Sequence, residues 1–425
     1  MGAKLKTVTL GCKVNQYETQ LVREGLLGAG FSDAEPDQPA DLCIVNTCTI
    51  TGEGDSKSRQ VIRRMNRNNP DARIVVMGCY ATREPQEVAD LPGVAEVVTD
   101  KREIPDLLAR FGVVDIPNGI SGLNKRHRAY VKVQDGCLLR CSYCIIPTVR
   151  PDMFSRPLTE VLDEVRVLID NGFSEVILTG IHLGHYGVDF NQGKPKRDWV
   201  RLSHLVRAIC ELSPTVRVRL SSIEATEVTR ELIEVMKDFS LQVCPHLHVC
   251  LQSGSDRILR GMKRRWTRRH IIDRCELVKN ELHLPAFTTD VIVGFPGETE
   301  KDFEDTLDLI DQVKFSNSYS FVYSQRPGTP AVDYKQIPKQ IADNRLEILQ
   351  KKLFDLQRNF NESKLHLKTK VLVENVTKKG NQFFGRNEYM QPVFIEGTEC
   401  TPGTIENVEI ISYNRNNLWG VLSNN

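Results

Sequence analysis

The chain has 425 residues, of which 40% are hydrophobic and 26% charged, and its formal net charge is +1. This composition is typical of a soluble globular protein of about three domains, and the near-zero charge excludes a basic nucleic-acid-binding field over the whole surface. The sequence shows no signal-peptide pattern and no stretch long enough to span a membrane. We therefore expect a cytoplasmic protein whose 12 cysteines are reduced ligands or core residues rather than disulfides.

Strands and helices alternate in the first third of the chain. Apolar runs predict strands at residues 5–10, 42–45, 74–77 and 94–98. A helix start is predicted at Asn15, where Glu18 completes the pattern of a capping box, and a basic helix is predicted at 57–67. This alternation favours a small, mostly parallel α/β sheet.

Three cysteines follow the carboxyl ends of three of these strands, at Cys12, Cys48 and Cys79. The carboxyl ends of parallel strands share one edge of an open sheet, where ligands bind, so the three thiols are candidates for one metal site. Gly11 and Gly78 precede two of them and allow close approach of the backbone. The alternative is three unrelated core cysteines, which is the interpretation that suits Cys43 inside its strand.

A turn-rich linker at residues 116–125 leads into a second strand–helix alternation. Six strands are predicted, at residues 130–133, 176–178, 216–220, 246–251, 287–293 and 319–322. Helices separate them, for example at 160–171, with Gly172 as its C-terminal cap. Six such units predict an incomplete β/α barrel, whose active site is expected at the carboxyl ends of the strands.

A C-x3-C-x2-C motif, Cys137, Cys141 and Cys144, directly follows the first of these strands. Three thiolates so close in sequence can hold three irons of a cubane iron–sulfur cluster and leave the fourth iron open for a chelating ligand. The alternative is a zinc site, which usually has a fourth Cys or His nearby. The next histidine, His182, is distant in sequence.

Polar and glycine residues mark the ends of the other barrel strands and are candidates for orienting a nucleoside and an amino-acid group. Each is weak alone, because such residues are ordinary in turns. The candidates are Thr179, Gly180, Ser221, Glu224, Gln252, Ser253, Asp290, Ile292 and Gly294.

Positive charge is concentrated in a few segments. Residues 257–274 contain eight Lys or Arg and one acid, with Trp266 among them. Such a stripe suits RNA backbone binding and base stacking, so Arg264, Arg265 and Trp266 are candidate RNA contacts; the alternative is a solvated helix face. Shorter basic runs are Lys57, Arg59, Arg63, Arg64 and Arg67, and Lys125, Arg126 and Arg128.

The last part of the chain changes in character after Pro338. A long amphipathic helix is predicted at 340–364, followed by short strands at 370–374, 382–386, 392–396, 408–411 and 419–422. Short strands separated by turns predict a small antiparallel barrel.

Together these motifs resemble a known family. The C-x3-C-x2-C motif resembles that of radical S-adenosylmethionine (SAM) enzymes, and the last barrel resembles the RNA-binding TRAM domain. The segment from Thr9 to Glu18, with Asn46-Thr47-Cys48 and Met77-Gly78-Cys79, resembles the N-terminal domain of the methylthiotransferases. The resemblance implies an α/β protein with an N-terminal parallel domain at 1–118, a (β/α)6 radical SAM domain at 123–355 and a TRAM-like domain at 361–425.

The resemblance also implies the cofactors. Cys12, Cys48 and Cys79 would hold an auxiliary [4Fe–4S] cluster, and Cys137, Cys141 and Cys144 a second cluster that binds SAM, the methyl donor and radical source. Tyr143 and the strand-end candidates would contact SAM, with residues 292–298 at its adenine. The family's Gly-Gly-Glu segment is only loosely matched at Thr179-Gly180-Ile181, and the segment from Arg150 to Arg156 departs from the usual basic loop.

Gly-Cys-Lys-Val-Asn at residues 11–15 resembles the members that act on N6-threonylcarbamoyladenosine beside the anticodon of tRNA. The implied reaction converts the adenine C2–H to C2–SCH3. We expect a monomer that draws on an electron donor and a sulfur source, neither of which the sequence identifies. Three alternatives stay open: action on isopentenyladenosine, action on a ribosomal protein, or a non-catalytic, metal-containing RNA-binding protein.

Overall fold

The computed structural model describes residues 2–123, 126–377, 382–397 and 399–423, so the predicted RNA contact Lys125 lies outside the described residues. The N-terminal part is a parallel sheet with strand order β2-β1-β3-β4-β5. Its elements are β1 (Lys4–Thr9), α1 (Lys13–Gly28), β2 (Ser32–Asp33), β3 (Leu42–Thr47), α2 (Gly52–Asn68), β4 (Arg73–Gly78), α3 (Cys79–Arg83), α4 (Pro85–Ala89), β5 (Val94–Val97) and α5 (Ile104–Arg110). All six residues of β3 are buried, as expected for a central parallel strand covered on both faces.

The first helix begins two residues earlier than predicted. Its N-cap is Cys12, and no side chain caps it, so the predicted capping box at Asn15 and Glu18 is wrong. Both side chains have other partners: the Asn15 amide donates to the carbonyls of Leu10 (2.9 Å) and Thr47 (3.0 Å), and Glu18 accepts from Arg150. Their side chains therefore connect separate loops and domains instead of closing a local turn.

The central part confirms the incomplete barrel. Its six long parallel strands run in the order β6-β8-β9 and β11-β12-β13, and a parallel bridge between Val218 and Val243 joins the two halves. The elements are β6 (Arg128–Asp135), α6 (Ile146–Val149), β7 (Phe154–Ser155), α7 (Leu158–Asp170), β8 (Glu175–Gly180), α8 (Leu202–Leu212), β9 (Arg217–Leu220), β10 (Ser222–Ile223), α9 (Arg230–Asp238), β11 (His246–Val249), α10 (Asp256–Gly261), α11 (Arg268–Glu281), β12 (Ala286–Val293), α12 (Glu300–Val313), β13 (Asn317–Val322) and α13 (Lys339–Glu362).

Gly172 closes α7 as predicted. Its φ is +84°, a left-handed conformation that suits glycine. The amide of Phe173 donates to the carbonyl of Leu168 (3.0 Å), and that of Gly172 to Ile169 (2.9 Å), which satisfies two carbonyls of the last turn.

The C-terminal part is a closed five-stranded barrel in the order β14-β15-β16-β18-β17. Its strands are β14 (Lys368–Val376), β15 (Gln382–Asn387), β16 (Pro392–Glu396), β17 (Ile405–Tyr413) and β18 (Leu418–Leu422). It is not wholly antiparallel as predicted, because β16 and β18 pair in parallel. Two buried arginines of β9 attach it to the central part: Arg217 donates to the carbonyl of Lys370 (2.9 Å) and Arg219 to that of Glu388 (2.7 Å).

None of the helices within the described ranges combines the length and apolar character that crossing a lipid bilayer requires.

A buried ion network joins the N-terminal sheet to the barrel. The Arg150 guanidinium donates to both carboxylate oxygens of Glu18 (2.8 Å each) on α1 and to both of Asp135 (2.8 and 2.7 Å) at the end of β6. Lys132 also pairs with both acids. The Arg150 and Glu18 side chains are each 1% exposed. Two cations and two anions balance, so no charge is buried without compensation.

The pKa of Glu18 reflects this environment. Burial alone would raise it, but Arg150 and Lys132 outweigh burial and lower it from 4.5 to about 2. A carboxylate with a lowered pKa stabilises the folded state above the unfolded value. The contribution of Glu18 is therefore present above about pH 4.5 and is lost as the pH falls towards 2.

We expect Glu18→Gln to lower the free energy of unfolding by about 3–5 kcal/mol, because removing one partner leaves buried charge uncompensated. Urea unfolding of metal-loaded protein measures this change. The control is Glu53→Gln, which removes a carboxylate paired with Lys57 on the exposed face of α2 and should change stability little. A decrease in the free energy of unfolding for Glu18→Gln that is no larger than the decrease for Glu53→Gln would contradict a stabilising role of the network.

Candidate metal and cofactor site

The first cysteine triad assembles at the carboxyl edge of the N-terminal sheet, because β1, β3 and β4 are adjacent strands. Cys12, Cys48 and Cys79 lie close enough to influence one another electrostatically. Gly11 has a φ of +97°, and a Cβ there would come within 2.9 Å of the Cys48 Cβ. At Gly78, a Cβ would lie 2.5 Å from the backbone of Thr47. The three thiols therefore lie at one edge of the sheet, and Gly11 and Gly78 occupy positions without room for a side chain. That the thiols bind one metal site stays a prediction.

Two cations lie beside this triad. Arg150 is close enough to interact with Cys12 and Cys79. Lys101 is close to Cys79, and its Nζ donates to the carbonyl of Val149 (3.2 Å). Burial raises the pKa of the Cys48 thiol to about 11. A metal must therefore displace a tightly held proton there, and the nearby cations favour the negative charge that thiolate ligands bring.

The second triad is held in the loop after β6. The amide of Cys144 donates to the carbonyl of Cys141 (3.1 Å), and Ser142 anchors the loop through its amide to Met262 (3.1 Å) and its hydroxyl to Gly261 (2.7 Å). Burial raises the pKa of Cys144 to about 12. The Arg264 guanidinium donates to the Cys141 Sγ (3.2 Å). Each triad thus has one buried arginine beside it.

The spacing of the thiols distinguishes a cluster from a single zinc ion. A zinc tetrahedron with Zn–S bonds of about 2.3 Å places its sulfurs about 3.8 Å apart. Among the described residues, the two groups of three ligand atoms that all lie within 4.8 Å of one another are His182, His185 and Glu227, and His248, Cys250 and Asp290. Neither group includes a cysteine of the two triads. Among the described residues, the sulfurs of neither triad are therefore gathered as closely as one zinc ion requires.

A cavity of about 310 Å³ lies against the second triad. Ile50 and Thr51, which follow Cys48, contribute to its wall. Cys79 packs directly on Ile145 and Val149, just beyond the second triad. The cavity therefore has walls from both the N-terminal sheet and the barrel. It contacts the second triad directly, and Ile50 and Thr51 connect it to the part of the N-terminal sheet that carries Cys48.

The comparisons with known proteins agree with this arrangement. Residues 4–100 match the family described as "Uncharacterized protein family UPF0004", and residues 131–310 match the radical SAM superfamily. The chain is 37% identical to the threonylcarbamoyladenosine tRNA methylthiotransferase MtaB of Bacillus subtilis, over 95% of this chain and 92% of that protein. It is 32% identical to a tRNA-2-methylthio-N(6)-dimethylallyladenosine synthase of Pelagibacter ubique, over 99% and 98%.

The chain belongs to the methylthiotransferase family. Among solved structures, the radical SAM methyltransferase TsrM from Kitasatospora setae has a similar fold, with a TM-score of 0.58 and 14% identity over 78% of this chain and 75% of that one. The cofactors of this methylthiotransferase are two [4Fe–4S] clusters and SAM, for which the two triads and the cavity provide matching ligands and space.

Five of the ten predicted SAM contacts line the cavity of this methylthiotransferase. Those that do are Tyr143, Glu224, Gln252, Asp290 and Ile292. Thr179, Gly180, Ser221, Ser253 and Gly294 are not among its lining residues, and their contacts with SAM stay predictions. Successive strand residues point to opposite faces, and the wall instead contains Ile181, Ser222 and Gln252. The Ser253 hydroxyl accepts a hydrogen bond from the Ser255 amide (3.3 Å), and the Gly294 amide donates to the Glu298 carboxylate (2.8 Å).

The predicted RNA contacts need a correction. The Arg264 side chain is 3% exposed and pairs with Glu224 in the cavity wall. Trp266 is 5% exposed and belongs to the barrel core. Neither can meet an RNA backbone or stack on a base from solvent. Arg265 is exposed and remains a predicted contact. The periodic burial within this segment could not be read from its charge alone.

Sequence reasoning missed His182. Its Nδ1 lies 3.6 Å from the Cys137 Sγ, and its Nε2 lies 3.4 Å from Glu227. It follows β8 by two residues, so the strand-end rule that selected Gly180 could have found it. His182 therefore lies beside the second triad although it is distant from it in sequence.

We expect Arg264→Met to lower the rate of 5′-deoxyadenosine formation from SAM by roughly 10-fold or more, because hydrogen bonds to charged groups contribute about 1.5–3 kcal/mol. Affinity for RNA and its salt dependence should stay unchanged, since the side chain is buried. The neighbouring variant Arg265→Met is the matched comparison and should reduce the log–log salt slope by about 0.7–0.9 if it contacts a phosphate. A reduced slope in Arg264→Met would contradict the correction.

Proposed function

We propose that this protein is a tRNA methylthiotransferase that converts N6-threonylcarbamoyladenosine beside the anticodon to its 2-methylthio derivative. The observation that carries the proposal is a cavity lined by one cysteine triad and by the segment that follows Cys48 of the other, with a buried arginine beside each triad. A reaction that joins a sulfur source to a radical-activated carbon needs both sites within reach of one substrate atom. The near full-length similarity to enzymes named for this nucleoside supports the choice of substrate.

We assign Cys12, Cys48 and Cys79 to the auxiliary cluster and Cys137, Cys141 and Cys144 to the SAM-binding cluster. When bound, the clusters supply the electron that cleaves SAM and the site that presents sulfur. Tyr143, Glu224, Gln252, Asp290 and Ile292 then line the space for SAM. Apolar walls from Leu139, Ile145 and Ile223 exclude water from the reaction.

A ladder of aromatic side chains on the C-terminal barrel supports RNA binding. Phe384, Phe394 and Trp419 lie side by side because their strands pair in register at these positions. The Phe394 and Trp419 rings are stacked at 5.7 Å, and Arg386 lies over Phe384 at 5.5 Å. The adjacent residues Phe383, Val393 and Leu418 fill the barrel interior, so the ladder faces outward. Such a surface suits stacked bases.

We propose the boundaries 1–118, 123–355 and 361–425 for the three domains. They separate the N-terminal sheet from the β/α barrel, and the barrel from the closed five-stranded barrel. Acting on tRNA, the enzyme would be a cytoplasmic monomer that contacts the anticodon stem-loop and receives electrons and sulfur from other partners.

Mass spectrometry of tRNA nucleosides tests the proposal. In a strain that lacks the gene, we expect the 2-methylthio derivative of threonylcarbamoyladenosine to disappear while threonylcarbamoyladenosine itself accumulates. Loss of the 2-methylthio derivative of isopentenyladenosine instead would identify isopentenyladenosine as the substrate. An unchanged tRNA pool with a modified ribosomal protein would overturn it.

Single cysteine variants separate the two clusters. We expect Cys48→Ala and Cys141→Ala each to retain about half the wild-type iron after reconstitution, since a cubane requires its ligand set. Cys48→Ala should still form 5′-deoxyadenosine but no methylthiolated RNA, and Cys141→Ala should form neither. Cys275→Ala, a buried cysteine of α11, is the control and should retain full iron. Full iron in Cys48→Ala would favour core cysteines in the N-terminal sheet.

We expect Trp419→Ala to weaken binding of an anticodon stem-loop roughly 5- to 100-fold, because stacking on one base contributes about 1–3 kcal/mol. The salt dependence should not change, since no phosphate contact is lost. Phe354→Ala removes an exposed aromatic ring outside the ladder and serves as the control. Equal, small effects of the two variants would exclude the ladder from the RNA surface.

A further inference from the structure

Lys13 follows Cys12, which we assign to the auxiliary cluster, and is the first residue of α1. Its side chain is half-buried, and the Cys12 thiol, Asp290, Arg128 and Arg219 are close enough to interact with it electrostatically. Within the described part of the chain, its ammonium has no hydrogen bond and no carboxylate within 4 Å. Partial burial of an ammonium without a partner costs free energy, which an anionic ligand would offset.

The neighbouring cations already have partners. Arg128 pairs with Glu374 (3.0 Å), and Arg219 pairs with Glu175 (3.1 Å) and donates to two carbonyls of the C-terminal barrel. Of Lys13, Arg128 and Arg219, Lys13 is therefore the one that has no carboxylate partner among the described residues and can bind an anionic ligand.

Polar side chains surround the space that Lys13 approaches. His248 Nε2 lies 3.3 Å from Asp290 Oδ2, and its Nδ1 lies 3.0 Å from the Thr288 hydroxyl. Asp290 also lines the cavity. Asp290 thus connects the cavity wall with His248 by a direct contact and with Lys13 by an electrostatic interaction.

Aromatic side chains stand at the open edge of the same region. Asp290 and Ile292 are in register with Tyr319 and Phe321 of the edge strand β13. Paired residues project to the same face of a sheet, and Phe321 itself lines the cavity. Tyr319 is 63% exposed and Phe321 45%. A flat base could stack there while its substituent extends towards Lys13.

This combination matches one class of N6 substituent. A threonylcarbamoyl group carries a carboxylate, a hydroxyl and urea N–H groups, whereas an isopentenyl group is wholly apolar. An apolar substituent would leave the Lys13 ammonium without a partner. A site built to bind a polar group rejects an analogue that lacks it, because the polar groups of the site are then left unpaired.

We propose that Lys13 binds the carboxylate of the threonylcarbamoyl group and thereby determines the preference of this enzyme for that nucleoside over apolar N6-modified adenosines. His248 and Asp290 would hydrogen-bond the hydroxyl and urea groups, and Phe321 would support the base. This inference rests on the proposed function and adds the residue that selects the substrate.

The test compares anticodon stem-loops that carry threonylcarbamoyladenosine as the free acid or as its methyl ester, with the full-length reconstituted enzyme. Wild-type enzyme should prefer the acid. Lys13→Met should lower kcat/KM for the acid roughly 10- to 100-fold, as expected for a lost hydrogen bond to a charged group, and bring the acid-to-ester ratio close to one. Lys13→Arg should restore much of the preference. Lys351→Met, at an exposed position of α13, should retain the wild-type ratio.

The ratio is measured within one preparation, so it does not depend on how much cluster each variant carries. If Lys13→Met turns over neither RNA, the ratio of equilibrium Kd values for acid and ester replaces it. A wild-type ratio in Lys13→Met would overturn the inference and leave the proposed function standing. Wild-type enzyme that modifies an isopentenyladenosine stem-loop and neither threonylcarbamoyl RNA would overturn both.

Discussion

The structure depends on one buried guanidinium. Arg150 binds Glu18 of the N-terminal sheet and Asp135 at the end of the first barrel strand, and it lies beside Cys12 and Cys79. Because two domains must meet for its charges to balance, this network fixes the distance between the auxiliary triad and the barrel. A cavity with walls from both domains is useful only if that distance is held, since misplacement of reacting groups by about 1 Å can greatly slow a reaction.

The sequence predicted the fold well because its signals are local. Apolar runs located the strands of the first sheet and the barrel, and the cysteines at strand ends predicted the triads once parallel neighbours were assumed. The role of Arg150 could not be predicted, because its partners lie 132 and 15 residues away and no spacing rule connects them. From the sequence, this segment is only a departure from the family pattern, and the structure shows that its first residue, Arg150, joins the two domains.

The prediction of the RNA-binding surface was wrong for a different reason. A run of eight basic residues around Trp266 suggested a solvated stripe, yet Arg264 turns inward to Cys141 and Glu224, and Trp266 enters the core. Charge counts cannot separate a surface cation from one that serves a buried thiolate. The outward aromatic ladder of the C-terminal barrel could not be predicted from the sequence either. Its residues come from three strands, two of which pair in parallel. Formal charge in that domain gave no sign of it.

The central claim is that SAM and the target adenine occupy one cavity beside the second triad. A stem-loop whose threonylcarbamoyladenosine carries deuterium at C2 tests this claim most directly. We predict that the reconstituted enzyme transfers this deuterium into 5′-deoxyadenosine during formation of the methylthio product, as mass spectrometry would show. Methylthiolated RNA accompanied by 5′-deoxyadenosine without deuterium would contradict the account, because the radical would then have formed out of reach of the adenine.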